Sequence, residues 1–204
     1  MEHIQNYISL LQQTIDQLPR QLIVDVVDVL QTARLQGNGV FIMGNGGSAS
    51  TASHFVCDLA KNTRCDDLPH FKVIGLSDNM AIFSAYANDE GYESVFANQL
   101  ASFVQPNDVV IAISASGNSK NVINAIEEAQ KHGAMTIGFT GFDGGRLGQM
   151  VNINIHVKSN IIEHVEDIHL MLEHMVAKTL KERARLNAKT ASTIVPLPLN
   201  AFGQ

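Results

Sequence analysis

Apolar residues enter the chain at helical spacing. Ile4, Tyr7, Ile8, Leu11, Ile15 and Leu18 recur three or four positions apart, the period of one face of an α-helix. Pro19 interrupts the run, and a second apolar-rich stretch reaches Leu35 before Gly37-Asn38-Gly39 stops it. The pattern predicts two helices ahead of the first strand. Their apolar face is wider than one small sheet covers, so packing against another subunit is expected.

From residue 40 the period changes. The short apolar runs Val40 to Met43, Val73 to Leu76, Val109 to Ile113, Thr136 to Phe139 and Ile153 to Val157 read as five buried strands. Helix-like stretches separate them, around Ser48 to Lys61, Asn79 to Ala87, Ser94 to Phe103, Ser119 to His132 and Gly145 to Met150. Alternating strand and helix predicts a parallel sheet covered on both faces, an α/β fold of three layers, α/β/α. The longest helix is expected last, from Ile161 to about Leu186, with Ile162, Val165, Ile168, Leu172, Met175, Val176 and Leu180 in helical register. We read residues 1–186 as a single domain, with residues 1–36 serving oligomerisation. Residues 187–204 read as an irregular tail whose Ile194, Val195 and Leu197 could dock on a neighbour.

Composition narrows the function. The 204 residues, 45% of them hydrophobic, suit one well-filled domain. A formal charge of -6 gives no overall electrostatic reason to bind nucleic acid. Cys57 and Cys65 lack a CxxC spacing or further cysteines, which argues against a disulfide scaffold or a thiolate zinc knuckle and fits a reducing compartment. The first residues lack the basic start and apolar core of a signal peptide, and no apolar run reaches membrane length. A soluble, cytoplasmic protein is expected.

Two loops carry candidate chemistry. Ser114-Ala115-Ser116-Gly117-Asn118-Ser119 lies between the third predicted strand and a helix. Hydroxyls, free backbone N–H groups and a helix N-terminus together suit an anion, and a sugar phosphate is the first candidate. Gly44-Asn45-Gly46-Gly47-Ser48 ends the first strand in the same manner. It is not a GxGxxG loop, the second strand ends at Leu76 without an acidic residue, and no Walker lysine follows, so dinucleotide binding is disfavoured and a tight strand-to-helix turn is the plainer alternative. Both loops fall at strand C-termini, the edge at which open α/β sheets bind ligands.

His54 and Asp58 stand four residues apart on one helix face, where they could grip a metal or substrate or simply hydrogen-bond at the surface. The last helix carries Glu163, His164, Glu166, Asp167, His169, Glu173 and His174. Such density of polar groups suits a solvated face, and His164 and Glu173 are read as surface residues. Asn88-Asp89-Glu90-Gly91-Tyr92 reads as a polar turn with capping residues, and Thr140 to Gly145 as a loop at a strand end.

The segments GNGGSAS, SHFVCDL, ANDEGYE, SASGNSKNV, GFTGFDGG and VEDIHLMLEH, in this order, resemble the sugar isomerase (SIS) family and, within it, the bacterial phosphoheptose isomerases. The resemblance spans most of the chain and includes the leading helix pair. It implies a flavodoxin-like five-stranded parallel sheet, a homotetramer with active sites between subunits, and one Zn²⁺ per subunit. The implied reaction converts D-sedoheptulose 7-phosphate to D-glycero-D-manno-heptose 7-phosphate, which feeds heptose nucleotide synthesis for bacterial surface polysaccharide. The family's substrate contacts fall on Asn45, Gly46, Gly47, Asp58, Asn88, Asp89, Ser114, Ala115, Ser116, Ser119 and Glu166, and its zinc ligands on His54, Asp58, Glu166 and His174. Asp58 and His174 take the catalytic roles. Three positions depart from the family: Asp58 stands where glutamate is common, Glu166 where many members have glutamine, and Ala115 where the phosphate loop has threonine.

Spacing adds a constraint of its own. Glu166 and His174 lie eight residues apart, about 12 Å of rise on a regular helix, too far for one ion with bonds near 2 Å. If both are ligands of one ion, they come from different subunits, unless the helix is broken near Glu166. The alternatives to this isomerase are an isomerase of another sugar phosphate and a non-catalytic SIS module of the replication-initiator-associating kind. His54, Asp58 and His174 together favour an enzyme. A sugar-phosphate-sensing regulator would carry a DNA-binding domain, for which the sequence leaves no room.

Overall fold

The computed structural model describes residues 1–193, with side chains described to residue 186. Two helices open the chain, α1 (Glu2–Asp16) and α2 (Arg20–Gln36). Pro19 caps the second, and Gly37, with φ of 72°, ends it in the left-handed conformation that glycine adopts without strain. Strand β1 (Gly39–Gly44), helix α3 (Gly47–Cys57) and strand β2 (Lys72–Gly75) follow. Next come α4 (Met80–Glu90), α5 (Ala97–Phe103), β3 (Val109–Ser114), α6 (Lys120–Lys131), β4 (Met135–Thr140), α7 (Gly145–Met150), β5 (Ile153–His156) and α8 (Ile162–Thr193).

The five strands are all parallel and lie in the order β2-β1-β3-β4-β5. This is the flavodoxin-like order, and it reverses direction between β1 and β3. Their register pairs Val40 with Val109 and Gly44 with Ile113, so the loops leaving both strands open side by side at the same edge.

Alternation along the strands sorts the core into two layers. Val40, Ile42, Val109, Ile111 and Ile113 face α2, α3 and α8, where Val27, Leu30, Phe55, Ile168 and Leu172 meet them. Phe41, Met43, Val110 and Ala112 face the opposite way, onto Leu100 of α5, Val122 and Ile126 of α6 and Leu147 of α7. All these side chains are buried. The three-layer α/β/α architecture expected from the hydrophobic pattern is therefore the architecture observed.

The last helix is longer than its periodicity indicated. It continues to Thr193, so residues 187–193, expected as irregular tail, are helical. Ile194, Val195 and Leu197 lie outside the described residues. On α1, Ile4 and Ile8 remain 64% and 50% exposed, the uncovered apolar face that the sequence pattern anticipated. Cys57 and Cys65 are both free. Among the described residues no helix is long and apolar enough to cross a membrane.

Candidate active site

The crevice between β1 and β3 is lined by main chain and hydroxyls. Ser114 ends β3 with its side chain buried, and the chain then turns through Gly117, whose N–H is donated to the Ser114 carbonyl at 3.1 Å. Gly117 has φ of 63°, and a Cβ there would collide with the carbonyl of Gly144. Only glycine meets both demands. The loop is braced from outside, because Leu147 N donates to the Gly117 carbonyl and Gly141 N to that of Ala115, each at 2.9 Å. Ser119 occupies the N-cap of α6 in extended conformation, yet its hydroxyl makes no capping bond. Ser119 lines a cavity of about 200 Å³. Its walls come from Asn45, Ser48, Ser114, Ala115, Ser116, Ser119, Phe142, Ile162 and Glu166. Hydroxyls at the N-terminus of a twelve-residue helix are a setting that suits an anion without a basic side chain.

Asn45 ties this cradle to its surroundings. It exchanges two 2.9 Å hydrogen bonds with the buried Asn121 of α6, and its Oδ1 also accepts from the Tyr92 hydroxyl at 2.8 Å. Asn121 Oδ1 in turn accepts the N–H of Val122 at 3.0 Å. Neither Asn121 nor Tyr92 was singled out from the sequence, because their role depends on a meeting across the crevice that no local pattern encodes.

A second constellation lies further along α3 and α8, which run side by side in the same direction. Gly47 opens α3 beside Glu166, so close that a Cβ would lie 2.9 Å from its Oε1. Seven residues later His54 meets Glu173 and His174. His54 Nδ1 is 3.7 Å from Glu173 Oε1, His174 Nε2 is 3.1 Å from that same oxygen, and the two imidazole Nε2 atoms are 3.4 Å apart. Asp58 completes the group, with Oδ1 3.8 Å from His54 Nε2. It begins a π-helical turn, Asp58–Asn62, and the Asn62 amide donates to the same Oδ1 at 2.5 Å. Such widened turns recur at functional sites.

Glu173 contradicts the surface role expected for it. It is 0% exposed, and neither carboxylate oxygen has a hydrogen-bond partner. Burial, and after it the Asp58 carboxylate, push its carboxyl up to about 8. His164 is buried too, its ring packed edge-on against Tyr7 at 4.3 Å. Both positions fall inside the apolar stripe of α8: Glu173 lies four residues after His169 and three before Val176, and His164 four before Ile168. That register was the available signal.

One ligand atom from each of His54, Asp58, Glu173 and His174 fits within 4.8 Å of all the others. Two imidazoles and two carboxylates at this spacing suit a tetrahedral zinc site, and the unpartnered carboxylate of Glu173 is the kind of group a cation would satisfy. Glu166 does not join them. Eight residues before His174, it faces Gly47 and the hydroxyl-lined cavity instead. Of the other expected site residues, Asn45, Ser114, Ala115, Ser116, Ser119 and Glu166 line one cavity, and Gly47 borders it through Glu166. Gly46 precedes α3 with φ of 53° and open space around it. Asn88 and Asp89 are not brought in. They are exposed at the end of α4, where Asn88 donates to Asp89 Oδ1 at 2.7 Å.

A parallel sheet of this order, with two small-residue loops at its switch point and a helix pair leading it, defines a flavodoxin-like α/β domain with a ligand crevice at that point. Residues 2–141 match the SIS domain, and the chain belongs to the SIS-domain family. Relatives that it matches include phosphoheptose isomerases. It is 37% identical to a probable phosphoheptose isomerase of Thermoplasma acidophilum, covering 79% of this chain and 88% of the relative. It is 36% identical to the phosphoheptose isomerase of Aquifex aeolicus, covering 81% and 86%. The solved structure of a phosphoheptose isomerase from Francisella tularensis superposes with a TM-score of 0.82 at 28% identity, covering 89% of this chain and 97% of that one.

Proposed function

We propose that this protein is an intramolecular aldose–ketose isomerase that converts D-sedoheptulose 7-phosphate to D-glycero-D-manno-heptose 7-phosphate. The observation that carries the reading is the pairing of a hydroxyl-lined phosphate cradle with an imidazole–carboxylate cluster along the same two helices. The family membership and the names of the relatives support the reaction and the sugar. In this reading Ser114, Ser116 and Ser119, with the Ala115 N–H, grip the phosphate. Asn45, Gly46, Gly47 and Glu166 contact the sugar chain. Glu166, an anion, suits hydroxyls better than phosphate, and from a neighbouring subunit it could also reach the metal.

The chemistry needs a base at carbon and an acid at oxygen. Asp58 is held by Asn62 and faces His54 through Oδ1, which leaves Oδ2 for the substrate. We assign it removal of the C1 proton of the ketose, which leaves the electron pair in a cis-enediolate. The carbon-bound proton returns at C2. His174, half-exposed beside the cluster, carries the hydroxyl proton from O1 to O2. His54, Asp58 and His174 would hold zinc, whose chemistry when bound is to polarise the carbonyl and steady the developing oxyanion.

The assembly we propose is a homotetramer, with Ile4 and Ile8 of α1 covered by neighbouring copies. We place the enzyme in the cytoplasm, supplying heptose for surface polysaccharide. Purified protein incubated with sedoheptulose 7-phosphate and with five- and six-carbon ketose phosphates, with and without chelator, tests the reading. Conversion of the seven-carbon sugar in preference to the others is expected, with loss on chelation. Saturable binding without turnover of any sugar would replace it with the non-catalytic SIS alternative.

A further inference from the structure

We propose that Tyr92 is a positioning residue of the site: by donating its hydroxyl to Asn45, it fixes that amide so that Asn45 presents the cradle with an N–H and no acceptor. The inference deepens the isomerase reading, on which it rests for the choice of ligand. It gives the ANDEGYE segment a part in the site that Asn88 and Asp89 do not play.

Hydrogen-bond polarity makes the first argument. A main-chain N–H can only donate, so the Asn121 atom that meets Val122 N–H at 3.0 Å must be the carbonyl oxygen. That orients the Asn121 amide. The reciprocal pair then orients Asn45, whose Nδ2 donates to Asn121 Oδ1 and whose Oδ1 accepts from Asn121 Nδ2. A pair of this kind uses one N–H and one oxygen lone pair of each amide and leaves one of each over. At Asn45 the Tyr92 hydroxyl takes the spare lone pair, at 2.8 Å. What remains is one Nδ2 hydrogen, which has no acceptor among the described residues. Asn45 lines the cavity with Ser114, Ser116 and Ser119, so a ligand held there meets a donor and must supply an oxygen as acceptor. A carbonyl or hydroxyl oxygen of the sugar chain fits that demand.

Placement makes the second. Tyr92 begins a single 3₁₀ turn, Tyr92–Ser94, that is fastened from two sides. Asn124, one helical turn beyond Asn121 on α6, donates Nδ2 to the Glu93 carbonyl at 3.0 Å, and Ser94 Oγ donates to the Gly91 carbonyl at 2.8 Å. On the other side the Tyr92 ring stands edge-on to Phe83 at 5.8 Å, and Phe83 in turn meets the buried Phe96 at 5.7 Å. The helix that carries Asn121 therefore also sets the height of the turn that carries Tyr92.

Exposure separates this role from a structural one. Tyr92 is 51% exposed, where a hydroxyl is solvated in the unfolded and folded chain alike and its hydrogen bond adds little to stability. The bond to Asn45 sets a direction at the site instead.

The test uses the full-length protein and sedoheptulose 7-phosphate. KM and kcat are read from turnover and Kd from calorimetry, for the wild type, Tyr92→Phe, Asn45→Ala and the double variant. Tyr92→Phe keeps the ring against Phe83 and removes one hydrogen bond, so Kd and KM are expected to rise about 3- to 10-fold. The melting temperature and kcat should stay at their wild-type values. In the Asn45→Ala background the same substitution should add nothing, because no amide is left to orient. Unchanged Kd and KM in Tyr92→Phe, or the same fold-loss with Asn45 already removed, would each overturn the proposal. A wild type that binds the sugar phosphate without turnover, with the loss in Tyr92→Phe retained, would overturn the isomerase reading alone. A wild type that does not bind it would overturn both.

Discussion

Asn45, just after β1, and Asn121, in the first turn of α6, are joined by two reciprocal amide hydrogen bonds of 2.9 Å. The pair spans the point where the sheet order reverses, so it fixes the relative position of the two loops that form the cradle. Asn121 touches the cavity only through Asn45. Asn121→Ala is expected to leave buried amide groups unpaired at a cost of about 1 to 3 kcal/mol and to raise KM for the sugar phosphate roughly tenfold. Urea unfolding and steady-state kinetics would check it, and an unchanged KM would remove Asn121 from the site's support.

Asp58 is the residue whose chemistry is least replaceable. Asp58→Asn keeps the shape and the Asn62 neighbour but cannot take a proton, so kcat at saturating zinc is expected to fall about 10² to 10⁴-fold. KM should move far less. Turnover equal to wild type would sink the assignment.

Gly117 is constrained by conformation and by space. Gly117→Ala must place a Cβ against the Gly144 carbonyl at positive φ, and a cost of about 1 to 3 kcal/mol is expected. The displaced loop should also lose inorganic phosphate binding, readable by calorimetry together with the melting temperature.

His169 gives stability a pH dependence. Burial lowers its pKa to about 4, against a partly opposing hydrogen bond with the Thr140 backbone. The native state therefore keeps it neutral while the unfolded chain protonates it near 6.5. Its contribution is fully present above pH 6.5 and is lost as pH falls from there toward 4, by about 3 kcal/mol in total. His169→Leu should flatten that portion of the stability curve. An identical acid limb in wild type and variant would refute the assignment.

Metal-free protein should respond to Glu173→Gln in the opposite sense to the holoenzyme. Removing an ionisable group whose carboxyl burial pushes up to about 8 is expected to raise the melting temperature of chelated protein at pH 8. With zinc present the same substitution should lower it, since binding to the native state adds stability in proportion to affinity. Scanning calorimetry with and without chelator reads both signs.

The fold was legible because its core strands are buried on both faces and so appear as unbroken apolar runs such as Val109 to Ile113. The cradle was legible too, since small residues between strand and helix are a local feature. Glu173 and His164 were misread because the density of charged neighbours on α8 masked their position in its apolar stripe. The π turn at Asp58 and the Tyr92–Asn45 contact depend on tertiary packing and have no short-range signature. Residues 187–193 lack apolar periodicity, which is why the end of α8 was placed too early.

The parallel course of α3 and α8 has a mechanical consequence. Within one subunit, the interval between the cavity wall at Gly47 and Glu166 and the cluster at His54 and Glu173 is counted in helical turns. Backbone hydrogen bonds hold that count, so thermal motion of loops cannot stretch it. Side-chain substitutions can retune either end, but the interval itself changes only by inserting or deleting residues in both helices together.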